Sequence, residues 1–243
     1  MRFSVVTWNI HKGIGGVDRR YRLERTIEVL SKLAPDIALL QEVAADMPRS
    51  RFHDQADLLA SELGMPHVAY GAEHRFSVGG YGNAILSRWP LYDIHHLDLT
   101  VGTRKKRGAL QAKARVRFGN HSRTVVLHNL HLGLAGSERG RQLERFLSSH
   151  PFRGLHGRTP VVLGGDLNDL WGTLGPSFLN PAGFSRAGPL ARTFPAWLPV
   201  RPLDGLFVRG DVRVRHAGPA RGTVARQASD HLPLGAELEL FAY

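Results

Sequence analysis

The apolar positions of this chain fall into short runs, with few long helical stripes. Phe3–Trp8, Ile37–Leu40, Asn83–Ser87, Ala109–Phe118, Thr124–Leu130, Pro160–Leu163, Leu203–Val208, Val212–His216 and Glu237–Phe241 each read as strands. They are brief, rich in β-branched and aliphatic residues, and flanked by turn formers. Helical spacing shows in three places. In Arg22–Leu33, the residues Leu23, Ile27, Leu30 and Leu33 share a face. In His53–Leu63, Leu58, Leu59 and Leu63 form a stripe. In Ser137–Ser149, Leu143, Phe146 and Leu147 face inward, with Ser137 placed to cap the first turn.

Many strands and few helices predict two sheets packed together with helices outside. The late strands follow one another closely, so a mixed or antiparallel sheet fits better than a purely parallel one. Gly172–Pro202 is rich in Gly and Pro and reads as an irregular surface excursion. Its neighbourhood carries Trp171, Phe178, Phe184, Phe194 and Trp197. These aromatics are expected to pack beneath the loop, with one or two available to line a groove. No linker, low-complexity tract or internal repeat divides the 243 residues, and the 42% hydrophobic content supports a sizeable core. A single domain over residues 1–243 is expected.

Charge and composition narrow the partners. The chain has 32 Lys and Arg against 21 Asp and Glu, a formal net charge of +11. Such an excess points to a polyanion: nucleic acid or an anionic membrane surface. A solvated basic face is the plain alternative, and a GC-rich genome accounts for Arg over Lys, though not for the excess over acids. Cysteine is absent, which excludes disulfides, zinc–thiolate sites and a thiol nucleophile. No apolar run approaches the roughly 18–20 residues that span a bilayer. Met1–Trp8 is too short an apolar stretch for a signal peptide and reads as a first strand. The chain is expected to be soluble and cytoplasmic, with no transmembrane segment and no obligate protein partner evident.

Polar residues cluster at the ends of the apolar runs. Asn9 follows Val5-Val6-Thr7-Trp8, and Glu42 follows Ile37–Gln41. His131 follows Val125–Leu130, and Asp166 and Asn168 follow Val161–Gly165. Ser229-Asp230-His231 opens the last apolar segment. Strand ends often converge on one edge of an α/β protein, where loops build the site. Acids, amides and histidines there suit a magnesium-assisted attack on a phosphate ester. Each alone has a plain reading: an Asn or Asp starting a turn, a surface acid, a core histidine. Their joint occurrence carries the argument.

Thr7-Trp8-Asn9-Ile10, Leu40-Gln41-Glu42, Gly82–Ser87, Asn129-Leu130-His131-Leu132, Gly165-Asp166-Leu167-Asn168, Leu203-Asp204 and Ser229-Asp230-His231 stand in sequence order. This series resembles the endonuclease/exonuclease/phosphatase superfamily along residues 3 to 241. The resemblance implies a four-layer α/β sandwich, two mixed β-sheets packed face to face with helices outside. It also implies a divalent-metal phosphoesterase using Mg2+, with Mn2+ as the alternative.

The site roles follow from the same resemblance. Glu42 matches the principal metal ligand, with Asn9 adding an amide oxygen or orienting Glu42, and Asp230 a further acid. Asp166 orients or deprotonates the attacking water. Asn168 donates to the charge growing on phosphorus. His231 binds a phosphate oxygen or shuttles a proton, held by Asp204. His131 contacts the phosphate or protonates the leaving group. Asn83 and Arg107 fit substrate-phosphate contacts. Two departures argue against a dedicated abasic-site enzyme. His11 stands where that branch has an acid, and Gly205 where relatives carry a larger residue. The stretches Asn9–Gly13 and Arg107–Leu110 look closest to small bacterial members.

The charge favours a nuclease acting on DNA with little sequence preference. Arg104–Arg107 is followed by Lys113, Arg115 and Arg117, which alternation places on one strand face. Arg139, Arg141 and Arg145 crowd a helix start, where a phosphate can also be held. The alternative is a phosphoesterase on phospholipid head groups or small phosphodiesters, with the basic charge facing an anionic bilayer. A third reading, a binding module without catalysis, requires a missing central acid, and none is missing.

Overall fold

The strand Gly108–Phe118 shows how alternation sets the layers. Leu110, Ala112, Ala114 and Val116 are fully buried, while Arg115 and Arg117 are exposed and Lys113 is half-buried. One face therefore meets a second sheet and the other carries cations. A computed structural model describes residues 1–241. In chain order the elements are β1 (Arg2–Asn9), α1 (Leu23–Leu33), β2 (Ile37–Ala45), α2 (Gln55–Leu63), β3 (His67–Arg75), β4 (Gly80–Ser87), β5 (Leu91–Asp98) and β6 (Gly108–Phe118). They continue with β7 (His121–His131), α3 (Gly136–Ser148), α4 (His150–Arg153), β8 (Val161–Asp166), β9 (Ser185–Arg186), β10 (Asp204–Arg209), β11 (Val212–Pro219), α5 (Thr223–Ala228) and β12 (Leu234–Leu240).

The strands form two six-stranded sheets, ordered β11-β12-β1-β2-β4-β3 and β5-β6-β7-β8-β10-β9. The central pair of each sheet, β1–β2 and β7–β8, is parallel; the flanking pairs are antiparallel. A parallel pair needs a crossover, and α1 and α3 lie in those two connections. Val5, Leu39, Leu127, Val162 and Leu206 fill the space between the sheets. Trp8, Leu30, Leu40 and Leu59 form a second core on the α1–α2 side, and Leu143, Phe146, Leu163 and Phe207 a third on the α3 side. Four layers enclosing three cores is the expected sandwich.

Departures from the sequence expectation have local causes. Strands β3 and β5 were not predicted; both are sheet edges, so much of each stays half-buried or exposed and shows little apolar signal. Strand β4 begins at Gly80, three residues before the run Asn83–Ser87. Ser137 does not cap α3: the cap is Ala135, without a side-chain hydrogen bond. The excursion Gly172–Pro202 is mainly irregular but holds a π turn at Gly175–Leu179 and the two residues of β9. Among the described residues no helix is long and apolar enough to cross a membrane.

One buried amide pair joins the sheets. Asn129 on β7 donates through Nδ2 to the carbonyls of Leu40 (2.8 Å) and Ala84 (2.9 Å), both in the other sheet. Gln41 Nε2 donates back to Asn129 Oδ1 at 2.7 Å. Leu40 lies where β2 shifts register against β4, between Leu40 and Val43, so its carbonyl needs this partner. Asn129→Ala is expected to destabilise the protein by about 2–4 kcal/mol, because it leaves these buried groups unsatisfied. Urea unfolding at neutral pH measures it.

His128, also on β7, is buried against Phe146 and Phe152. Burial pushes its pKa down to about 3. The unfolded chain therefore binds a proton that the folded chain refuses as pH falls below about 6.5. His128 alone is expected to take away about 2 kcal/mol of stability between pH 7 and pH 5, so the wild-type protein should lose that much more than His128→Phe over the range. Urea midpoints of both proteins across this range check the prediction.

Candidate active site

The two central parallel pairs end at the same edge, and the polar residues that follow them meet there. Asn9 ends β1, and the β2 register shift delivers Glu42. Glu42 itself has φ +52°, a left-handed conformation that turns its side chain out of the strand alternation. His131 and Asp166 end β7 and β8 in register with each other, and Asp204 opens β10 opposite Asp166. Gly165 lets β8 run close to β7, since a Cβ there would lie 1.9 Å from the Leu130 carbonyl oxygen. Asn168 has φ +49°, and its backbone N–H donates to Asp166 Oδ1 at 3.0 Å, a turn that suits this residue type.

Asp166 is the hub. Its Oδ2 accepts from Asn9 Nδ2 at 3.0 Å and lies 3.6 Å from His131 Nε2 and 3.7 Å from His231 Nε2. Each histidine has a further carboxylate behind it. His231 Nδ1 meets Asp204 Oδ2 at 2.8 Å, and Thr193 donates its hydroxyl to the same oxygen. His131 Nδ1 faces Glu73 Oε2 at 3.4 Å, and Asn83 Nδ2 donates to Glu73 Oε1 at 2.9 Å. Burial opposes the charged form of His231, but Asp204, Asp166 and Asp230 outweigh it and push the pKa up to about 10. The Trp8 indole, donating to the His231 carbonyl at 2.8 Å, and Phe194, with its ring centre 5.0 Å away, fix this segment.

These groups floor an open cleft of about 510 Å³. Asn9, Glu42, Arg107, His131, Asp166, Asn168, Asp230 and His231 all line it. Asp204 is buried behind His231, and Asn83 is fully buried behind Glu73 and does not line the cleft. Arg107 is largely buried, its Nε donating to the Leu132 carbonyl at 2.9 Å, and Asn168 Nδ2 shares that acceptor at 2.9 Å. Each of these donors keeps further N–H groups for other partners.

The sequence reading missed two participants. Glu73 lies on the unpredicted edge strand β3, and nothing in its local pattern marks it. Lys12 also lines the cleft, and its ammonium forms an ion pair with Glu42 Oε2 while lying 4.8 Å from the centre of the Tyr81 ring. Burial works against the charged form of Glu42, yet Lys12, His131 and His11 hold its pKa at about 2. Arg139, read as a phosphate contact, is instead buried and donates to the carbonyls of Gly133 and Leu134. Gly205 has no room for a side chain, since a Cβ would lie 2.7 Å from the Phe207 ring.

Two places present ligand atoms for a cation. Asp166, Asp204 and His231 offer atoms all within 4.8 Å of one another. There, Asp204 Oδ2 and His231 Nδ1 already satisfy each other. Nearer the opening, Glu42 and Asp230 present carboxylates, and Glu42 already attracts the Lys12 cation. Asn9 Oδ1 accepts from the His11 backbone N–H at 3.0 Å and its amide nitrogen donates to Asp166, contacts that order the floor.

Comparisons with known proteins agree with this geometry. The family model described as "Endonuclease/Exonuclease/phosphatase family" matches residues 6–231. "Uncharacterized protein YbhP" of Escherichia coli (strain K12) is 32% identical over 255 residues, covering 98% of this chain and 96% of its own. A solved endonuclease/exonuclease/phosphatase from Beutenbergia cavernae superposes with a TM-score of 0.83 at 24% identity, covering 98% of this chain and 72% of that one. A mannosyl-6-phosphatase from Bacteroides thetaiotaomicron gives 0.75 at 17% identity over 98% and 100% of the two chains. D. rerio TDP2 complexed with a single-strand DNA product gives 0.69 at 18% over 98% and 99%. A family match that spans the strand-end residues from Asn9 to His231 leaves one assignment: the chain belongs to the endonuclease/exonuclease/phosphatase family, whose members act on phosphoesters.

Proposed function

We propose that residues 1–243 form one catalytic unit, a divalent-metal-dependent phosphodiester hydrolase that uses Mg2+ or Mn2+. Its proposed substrate is DNA, cut with little sequence preference in the cytoplasm, without an obligate protein partner. The observation that carries the hydrolytic reading is the convergence of Asn9, His131, Asn168 and His231 on the single carboxylate of Asp166.

The donors near the opening fit a hard cation: Glu42 and Asp230 are oxygen ligands, and Glu42 stays ionised in its buried setting. When bound, the metal supplies charge stabilisation for the phosphoryl and leaving oxygens. The chain's own residues do the rest. Asp166 is placed to orient a water or take its proton, fixed by the Asn9 amide. His231, charged through Asp204, presents Nε2 as a donor to a phosphate oxygen. His131 presents the second donor, with Glu73 facing its other ring nitrogen at 3.4 Å. The free N–H groups of Asn168 and Arg107 extend the donor set at the cleft wall.

The basic wall supports DNA as the polyanion. Lys12, Lys105 and Arg107 line the cleft, while Arg115 and Arg117 stand exposed toward the far end of β6, opposite Thr124 and Ser122. Such contacts grip backbone phosphates without reading bases. The fold alone does not choose a substrate, since structures sharing it are described as a mannosyl-6-phosphatase and as TDP2 bound to a DNA product. The second reading, phospholipid head groups or small phosphodiesters, gains from one observation: large apolar side chains stand exposed beside the cleft, among them Trp171, Leu134 and Trp197.

Plasmid DNA, linear DNA and bis(p-nitrophenyl) phosphate are to be assayed with Mg2+, Mn2+ and a chelator. Turnover is expected with either metal and none with the chelator, and DNA cleavage is expected to weaken steeply with salt. Absence of DNA cleavage at low salt removes the nuclease reading; absence of turnover on every diester removes the hydrolase reading. Asp166→Asn and Glu42→Ala are expected to lower kcat by about 10²–10⁴-fold with the fold intact by circular dichroism. A fully active Glu42→Ala protein refutes the metal assignment. Glu73→Gln is expected to cost about 10–100-fold, since it releases the ring of His131.

A further inference from the structure

Six large apolar side chains stand exposed around the mouth of the cleft: Leu134 (72%), Trp171 (80%), Leu190 (49%), Trp197 (57%), Leu198 (55%) and Val200 (50%). They come from separate segments that all reach the site. Leu134 itself lines the cleft. Trp171 follows the lining residue Leu170, and Leu190 packs on the next residue, Gly172, where an added Cβ would lie 2.8 Å from the leucine methyl carbons. Trp197, Leu198 and Val200 occupy the tip of a loop closed by the Phe194–Arg201 bridge, whose two ends both line the cleft. The loop is tied to the site by the Ala196 N–H, which donates to the Asp230 carbonyl at 2.7 Å.

Cations share the same mouth. Lys105 and Arg201 line the cleft and are exposed, in a protein whose net charge is +11, while Lys12 pairs with Glu42 and Arg107 is largely buried. Contiguous exposed apolar side chains rimmed by cations mark an interaction surface. Four of the six are aliphatic, and aliphatic side chains offer no flat face on which a base can stack. Tryptophan with leucine and valine, beside lysine and arginine, is the composition that settles into a lipid–water interface facing anionic head groups.

We propose that the mouth of the cleft is a docking surface for an anionic lipid bilayer, with the aliphatic and tryptophan side chains entering the interface and the exposed cations Lys105 and Arg201 meeting lipid phosphates. Docking of this kind brings Glu42 and Asp166 over the phosphodiesters of the bilayer. The inference rests on the second reading above, in which the cleft acts on lipid phosphodiesters, while docking itself needs no turnover.

The test uses the full chain with a chelator present, in flotation against phosphatidylcholine vesicles with and without phosphatidylglycerol. Flotation is expected with the anionic vesicles only. Trp8 is fully buried and Trp89 only partly exposed, so emission changes on binding report chiefly on Trp171 and Trp197. Their emission is expected to shift to the blue and to be quenched by brominated acyl chains in the wild-type protein. The combined variant Trp171→Ser, Trp197→Ser, Leu198→Ser is expected to lose vesicle binding by at least about tenfold. It should keep its circular dichroism and its turnover of bis(p-nitrophenyl) phosphate. No flotation, no quenching by brominated chains, or unchanged binding of the variant each overturns the proposal. So does quenching of the same tryptophans by single-stranded DNA without vesicle binding, which makes the surface a base-stacking platform. Failure of the hydrolase reading shows separately, as absent turnover of the soluble diester.

Discussion

The buried amide pair Gln41–Asn129 is the constraint on which the site depends. A register shift in β2 leaves the Leu40 carbonyl without a regular ladder partner, in a region where water does not reach. Asn129 satisfies that carbonyl from the opposite sheet, and Gln41 returns a hydrogen bond to Asn129. The shift therefore holds at one place, and the two sheets hold at one relative height. Glu42 follows directly after Gln41, and His131 stands two residues beyond Asn129. One set of buried hydrogen bonds thereby fixes the distance between the Glu42 carboxylate and the His131 imidazole.

The charge pattern of the floor has a single logic. Asp166 is shared by groups from β1, from the end of β7 and from the segment before β12, so its position is set by several contacts at once. An acid lies behind each histidine: Asp204 hydrogen-bonds Nδ1 of His231 at 2.8 Å, and Glu73 faces Nδ1 of His131 at 3.4 Å. For His231 the acid holds the ring and favours its charged form. Glu42 stands apart from this network with Lys12 as its partner. A small cation entering the site competes with that ammonium for the carboxylate, so the structure carries its own internal counter-ion.

Specificity lies outside the floor. The strands set the chemistry, while the loops after β7 and β8 and the loop before β10 shape the mouth. Within the excursion Gly172–Pro202, Phe184 is buried and Phe178 packs against the same core, while Phe194 lines the cleft and Trp197 is exposed. Trp171, just ahead of it, is exposed as well. The aromatics of one segment thus divide between holding the loop down and meeting a partner. A basic wall on one side and an apolar rim on the other give the cleft an amphipathic mouth.

The apolar pattern was enough to show two packed sheets with helices outside, because alternation reports burial and the interior strands are buried on both faces or on one consistent face; the four-layer sandwich came from the family resemblance of the strand-end motifs. The sequence also showed which residue types end those strands: Asn9, Glu42, His131, Asp166 and His231 stand at run ends where no apolar demand explains them. Edge strands β3 and β5 escaped, since a strand with one free side carries too little apolar alternation to be seen. Glu73 escaped with β3. What only the tertiary structure decided is partnership. Asn9 and Asp166 are 157 residues apart in the chain, and Trp8 and the His231 carbonyl are 223 apart. Periodicity assigns each residue a face but not the residue opposite. The pairing of Lys12 with Glu42, the retreat of Asn83 behind Glu73 and the exposure of the mouth follow from sheet register and cross-sheet packing, which form only when the two sheets close on each other.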